Sequence, residues 1–324
     1  MTDSAEPLLA VERLSVEFAT RDGVVSALEE VGFTIAPGET VGIVGESGSG
    51  KTVTALAIMG ILDPAARVTD GRVLFAGADL LRMPEDQRWR YRGRGLSMVF
   101  QNARAALNPI RTVGRQLADV VRRHTVTSQA QVTLRVTELL KRVQIPDAER
   151  RYHAYPFELS GGMCQRVMIA LAVAGSPALL IADEPTTGLD VTTQAAVLDL
   201  LDELARREQM AIILITHDLA LAAERCDRIV VMHAGHVVET ASARVLFTAP
   251  RHPYTARLIA STLRSETKLL DLVPIPGSIP DLRQPLGPCR YRARCTYARD
   301  VCDQPPLPRV EVAHGHMVAC RAPL

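Results

Sequence analysis

The sequence predicts an α/β fold, a largely parallel sheet flanked by helices, from three observations. Short continuous apolar runs recur at "TVGIV" (40–44), "ALLIA" (178–182) and "AIILIT" (211–216), as expected of parallel strands covered on both faces. Helical spacing falls between the last two: over 191–208, Val197, Leu201 and Leu204 share one side. Strand–helix–strand order of this kind belongs to α/β architectures rather than to segregated strands and helices.

In chain order, residues 8–18 ("LLAVERLSVEF") and 31–35 ("VGFTI") read as strands, with a turn at Pro37-Gly38. The strand 40–44 leads into a glycine loop and an apolar helix from Val53, and "RVLFAG" (72–77) reads as a further strand. A helical stretch is predicted over 114–144 from Val113, Leu117, Val120 and Val121, then Leu134, Val136, Leu139, Leu140 and Val143. "RIVVM" (228–232) and "HVVE" (236–239) flank Ala234-Gly235 and predict a hairpin. Near residue 260 the composition changes. Residues 261–324 hold nine of 20 prolines, against about four expected from length, and four of six cysteines. Such a loop-rich extension needs a staple to hold its shape. The 324 residues support about two domains, divided here as 1–260 and 261–324.

A net charge of +1 supplies no global field for nucleic acid. The start, "MTDSAEPLLAVERL", carries acids where a secretory signal needs basic residues. Apolar runs such as "ALAIMGIL" (55–62) fall far short of the roughly 20 residues that span a bilayer. A soluble chain on the cytoplasmic side is the expectation.

The strongest local signal is "GESGSGKT", comprising Gly45, Glu46, Ser47, Gly48, Ser49, Gly50, Lys51 and Thr52. It fits G-x-x-x-x-G-K-[ST] between a predicted strand and a predicted helix. Glycines let successive N–H groups turn onto phosphate oxygens, Lys51 neutralises β- and γ-phosphate charge, and the Thr52 hydroxyl suits Mg²⁺. "LLIADEP" (179–185) ends a buried strand with two acids: Asp183 suits Mg²⁺ and Glu184 suits a general base, although carboxylates there also cap helices. His217, in "ILITHD", and Gln101, in "SMVFQN", each end a strand where they could reach a γ-phosphate, metal or water. Singly, each reads as readily as an ordinary satisfied side chain. "ELSGGMCQRVMIALA" (158–172) opens a second helix with the glycine turn Ser160-Gly161-Gly162, whose bare N–H groups suit a second phosphate.

In order along the chain, "GESGSGKT", Gln101, "LSGGM", "LLIADEP", "GLD" (188–190) and "ITHD" resemble the nucleotide-binding subunit of an ABC transporter. The resemblance covers roughly residues 8–260. It implies a P-loop NTPase with a RecA-like core, an antiparallel β-subdomain and a helical signature subdomain over about 102–174, followed here by the Cys-rich extension. It also implies site roles. Gly45–Thr52 bind ATP, and Thr52, Gln101 and Asp183 hold Mg²⁺. Glu184 is the catalytic base, with Gln101 and His217 beside the γ-phosphate. Asp190 is the acid of the next loop, and Ser160-Gly161-Gly162 contact the ATP of a partner subunit. Phe18 is the candidate for stacking on adenine. Two departures stand out: Met163 replaces a glutamine, and "QNARAALNP" lacks the usual acid and proline after Gln101. One P-loop and no long heptad run separate the chain from soluble ABC proteins of translation or repair.

"RHPYT" (251–255) and the cysteine-rich tail resemble the peptide-import branch, which includes dipeptide, oligopeptide, nickel and metallophore systems. That branch implies a second ATPase subunit, two transmembrane permease subunits and an extracytoplasmic substrate-binding protein, with the ATPases at the cytoplasmic face of the membrane. Within it, dipeptide import is the best expectation. Cys289, Cys295, Cys302 and Cys320 are spaced C-x5-C-x6-C-x17-C, without a zinc knuckle. Their thiolates suit Zn²⁺ or an iron–sulfur cluster, and the branch implies a [4Fe–4S] cluster. Arg290, Arg292, Arg294 and Arg299 surround them, either offsetting thiolate charge or forming a solvated basic face. Cys164 and Cys226 are expected to be small buried hydrophobes.

Overall fold

A computed structural model describes residues 6–124, 128–261 and 275–324. The chain forms two compact units, one from residues 1–83 with 214–324 and one from residues 84–213. The parts of the predicted 114–144 helix at 125–127 and of the extension at 262–274 lie outside the described residues.

In the first unit, β1 (Leu9–Thr20) pairs antiparallel with β2 (Gly23–Ile35) and with β4 (Ala66–Phe75), and β4 pairs with the short β5 (Ala78–Asp79). β2 is longer than the predicted 31–35, because its antiparallel register with β1 runs back to Gly23. Leu9, Val11, Leu14 and Val16 point into the core of this sheet, each at most 2% exposed.

The same unit carries a mixed sheet. β3 (Thr40–Val44) runs parallel to β9 (Arg228–His233), which turns back into β10 (His236–Ser242). The turn is Ala234-Gly235, both at positive φ, the backbone a two-residue hairpin requires. β10 then pairs with β12 (His316–Val318), and β12 with β11 (Val310–Ala313). The extension therefore adds strands to the sheet that carries the glycine loop.

Three buried groups hold that addition. Glu239 on β10 is 1% exposed. Its carboxylate accepts the backbone N–H of Arg251 at 2.7 Å and of His252 at 2.9 Å, and His316 Nε2 lies 2.6 Å away. The helix Pro253–Ala260 starts there, with proline at its first position and the His252 ring nitrogen accepting the N–H of Tyr254 at 3.0 Å.

In the second unit, β6 (Leu96–Val99) runs parallel to β7 (Leu179–Asp183). β8 (Ala211–Thr216) carries the chain out of this unit. The predicted 114–144 helix is two helices, Val113–His124 and Gln129–Arg142. Ser128 and Gln131 form a capping box that starts the second one afresh. Leu117, Val121, Val132, Val136 and Leu140 are all at most 2% exposed and pack the unit's core, whereas Leu134 faces solvent. The helices Gly161–Val173 and Val191–Glu208 complete it, with Val167, Ala170, Leu200 and Val197 fully buried.

Replacing Glu239 with alanine strands two buried backbone N–H groups, at about 1–3 kcal/mol each. Urea denaturation of Glu239→Ala should show a loss of about 3 kcal/mol or more. Glu239→Gln keeps one acceptor oxygen and should lose less.

Candidate functional site

The glycine loop is built by close approach of backbones. A Cβ on Gly45, at φ +151, would lie 2.1 Å from the Met232 carbonyl of β9. A Cβ on Gly50, at φ +101, would lie 2.6 Å from the Leu28 side chain. Only glycine fits either place. The loop opens the helix Lys51–Met59, so its N–H groups and the positive end of the helix face the same way. Lys51 is 5% exposed, and its ammonium donates to the carbonyls of Gly45 at 2.8 Å and Glu46 at 2.9 Å. Thr52 is exposed at the first turn.

The Glu46 side chain turns away to a bidentate ion pair with Arg294, at 2.8 and 2.9 Å. Burial would raise its pKa, but His233 and Arg294 overcome that and hold it at about 2. Elsewhere in this unit, His217 is exposed directly after β8, and Phe18 is half-buried on β1 between Val25 and Ala66.

In the second unit, Asp183 ends β7 at 3% exposure, and Glu184 follows at φ +45. A left-handed glutamate is strained backbone, of the kind found where a side chain must be aimed. The Gln101 amide donates to Glu184 Oε2 at 2.9 Å, and the Thr187 hydroxyl donates to the same oxygen at 3.0 Å. The structure thus pairs two predicted site residues 83 positions apart.

Ser160 caps the helix Gly161–Val173, its hydroxyl accepting the Met163 N–H at 3.3 Å. Asp190 caps Val191–Glu208 and accepts the N–H and hydroxyl of Thr193, which lowers its pKa. A Cβ on Gly162 would lie 2.6 Å from Thr193, so glycine lets the two helix starts meet. Ser160, Gly161, Gly162 and Asp190 share one open cleft.

Two arginines of the extension lie elsewhere than on a solvated face: Arg290 and Arg294 are buried against the hairpin turn and the glycine loop, whereas Arg299 is exposed. Arg290 donates to the Ala234 carbonyl at the hairpin turn and pairs with Glu29. Arg292 pairs with Asp303 at 2.8 Å. A buried guanidinium needs a carboxylate or carbonyls, and Glu29 and Glu46 lie too far along the chain for spacing to reveal them.

Cys289, Cys295, Cys302 and Cys320 line one small cavity together with Tyr291. Burial pushes the Cys289 thiol up to about 11, with further upward pressure from the other three. Thiols so buried and crowded keep their protons unless a cation offsets the thiolate charge. Among the described residues no three His, Cys, Asp or Glu side chains converge on a single ion. Cys164 and Cys226 are buried, as expected of small hydrophobes.

With this geometry in hand, similarity to known proteins is specific. The ABC transporter family pattern matches residues 28–187, and the pattern for the C-terminal region of oligopeptide/dipeptide transporters matches residues 238–302. The chain is 44% identical to the dipeptide transport ATP-binding protein DppD of Escherichia coli K12, over 98% of this chain and 97% of that one. It is 46% identical to a probable peptide ABC transporter ATP-binding protein, y4tR, of Sinorhizobium fredii, over 98% and 95%. Among solved structures, the dimeric ATP-binding cassette MJ0796 in a post-hydrolysis state with ADP and Pi superposes with a TM-score of 0.65. It is 29% identical and covers 73% of this chain and 99% of its own. A glycine loop closed on Lys51, a Gln101–Glu184 pair and matches over nearly the whole chain lead to one assignment: this is an ATPase of the ABC transporter family, in the group that carries the oligopeptide/dipeptide C-terminal region.

Proposed function

We propose that the chain energises import of dipeptides across the cytoplasmic membrane. It works from the cytoplasmic face, paired with a second ATPase subunit on two permease subunits that receive cargo from an extracytoplasmic binding protein. The near full-length similarity to DppD supports the cargo, with oligopeptides, nickel or metallophores as the other members of the set. No helix among the described residues is long and apolar enough to cross a membrane. The cassette spans about 1–260, with its helical subdomain at about 102–174, and the extension 261–324.

The Gln101–Glu184 hydrogen bond is the observation that carries the mechanism. Gly45–Thr52 cradle the triphosphate of ATP, Lys51 neutralises it, and Phe18 stacks on adenine. Glu184 takes the proton of a water as its oxygen attacks the γ-phosphorus and the bond to ADP breaks. Gln101 and Thr187 fix that carboxylate, and His217 orients the γ-phosphate. Thr52, Gln101 and Asp183 hold Mg²⁺, which neutralises developing phosphate charge. The Ser160-Gly161-Gly162 turn and Asp190, which share one open cleft, complete the site of the partner subunit, so each ATP lies between two chains.

Cys289, Cys295, Cys302 and Cys320 hold a [4Fe–4S] cluster, which supplies a rigid cross-link to the extension. What supports this reading is that all four cysteines line one cavity, with zinc as the alternative occupant.

Glu184→Gln should still bind ATP and accumulate as a closed dimer while phosphate release falls at least about 100-fold; unchanged turnover refutes the assignment. Cells lacking this chain should lose uptake of labelled dipeptides while nickel uptake persists; the reverse pattern moves the cargo to a metal. Anaerobically purified protein should be brown, with about four iron and four sulfide per chain, and Cys295→Ala should lose the colour. A colourless protein with one zinc replaces the cluster reading.

A further inference from the structure

The extension reaches the glycine loop at the Glu46 carboxylate. Glu46 is the second residue of the phosphate-binding loop, and its neighbours on either side belong to the ATP cradle. Both its carboxylate oxygens are taken by Arg294, whose side chain is 5% exposed. The guanidinium is itself fixed, donating from Nε to the Pro276 carbonyl at 2.8 Å and lying 5.9 Å from the Tyr291 ring. Beneath the pair lie two fully buried rings. Tyr254 accepts the Glu46 backbone N–H at 3.0 Å, and His233, 3.5 Å from Glu46, packs 4.5 Å from Tyr254 and 5.2 Å from Tyr291.

A carboxylate in this loop opposes the loop's function. ATP brings several negative charges to N–H groups one to six residues away, and like charges held close in a partly buried site repel. Arginine answers this in two ways: it neutralises Glu46, and its planar fork fixes the direction in which both oxygens point. Lysine would neutralise without fixing. We propose that Arg294 is a positioning residue for ATP, holding Glu46 neutralised and turned away from the triphosphate so that the loop accepts the nucleotide.

Steady-state ATPase kinetics of the full-length chain, purified with its co-expressed subunits, test this. Arg294→Gln should raise the KM for ATP about tenfold while kcat stays within about twofold, since the group acts on binding and not on the γ-phosphate. Arg294→Lys should fall between the two. Adding Glu46→Gln to Arg294→Gln should recover most of the lost affinity, because the repelling charge is gone; a merely structural pair would move stability and leave the KM of the folded single variant at the parental value. An unchanged KM in folded Arg294→Gln, a loss confined to kcat, or a double variant no better than the single overturns the proposal. If Arg294→Gln alone does not fold, Arg294→Lys decides: a KM for ATP raised at least about threefold with kcat unchanged supports the proposal, and a parental KM overturns it.

Discussion

The glycine loop can work only if something other than ATP holds its outer side. Its inner side must stay open to phosphates, and its glycines resist no deformation on their own. Here the support is a buried junction in which Tyr254 binds the loop backbone, Arg294 binds the Glu46 carboxylate and His233 fills the space below. Burial keeps His233 below its usual pKa, so a neutral imidazole sits under an ion pair that is already satisfied. β9 contributes His233 and the Met232 carbonyl against which Gly45 packs. The helix Pro253–Ala260 contributes Tyr254, and the cysteine loop contributes Arg294. Three segments remote in sequence therefore shape one turn of eight residues.

The extension reaches this junction through two anchors. Glu239 gathers the start of the Pro253–Ala260 helix and His316 of β12 onto β10. Arg290 ties the cysteine loop to the hairpin turn and to Glu29, a carboxylate that His236 and Arg290 hold at about 2. Between them the four cysteines line their cavity, with Tyr291 shared between that cavity and the ring cluster behind the phosphate loop. The staple that a proline-rich segment needs is thus partly ionic and already built into the polypeptide.

Much of this was legible from local sequence. The strands 40–44, 179–183 and 211–216 announced themselves as continuous apolar runs because both their faces are buried. The glycine loop was legible because its chemistry is contiguous. The Gln101–Glu184 pair was not, since nothing in spacing says that two side chains 83 residues apart share a hydrogen bond. β11 escaped notice because it is four residues long, too short for its Val310-Glu311-Val312 alternation to stand out within a proline-rich segment. The arginines were misread for the same reason as the pair: a charge beside cysteines looks local until its partner, 248 residues away, is seen.

The Glu46–Arg294 contact also has a consequence for how the protein is made. At roughly 5–20 residues per second of synthesis, the 248 residues between the partners take about 12–50 s to appear. Throughout that interval the phosphate loop exists without its outer wall, and its carboxylate is unpaired. His316 and Cys320 emerge later still. A nascent chain thus completes the outer side of its phosphate loop only after Arg294 has emerged, and one interrupted before that carries the loop's sequence without the pairing.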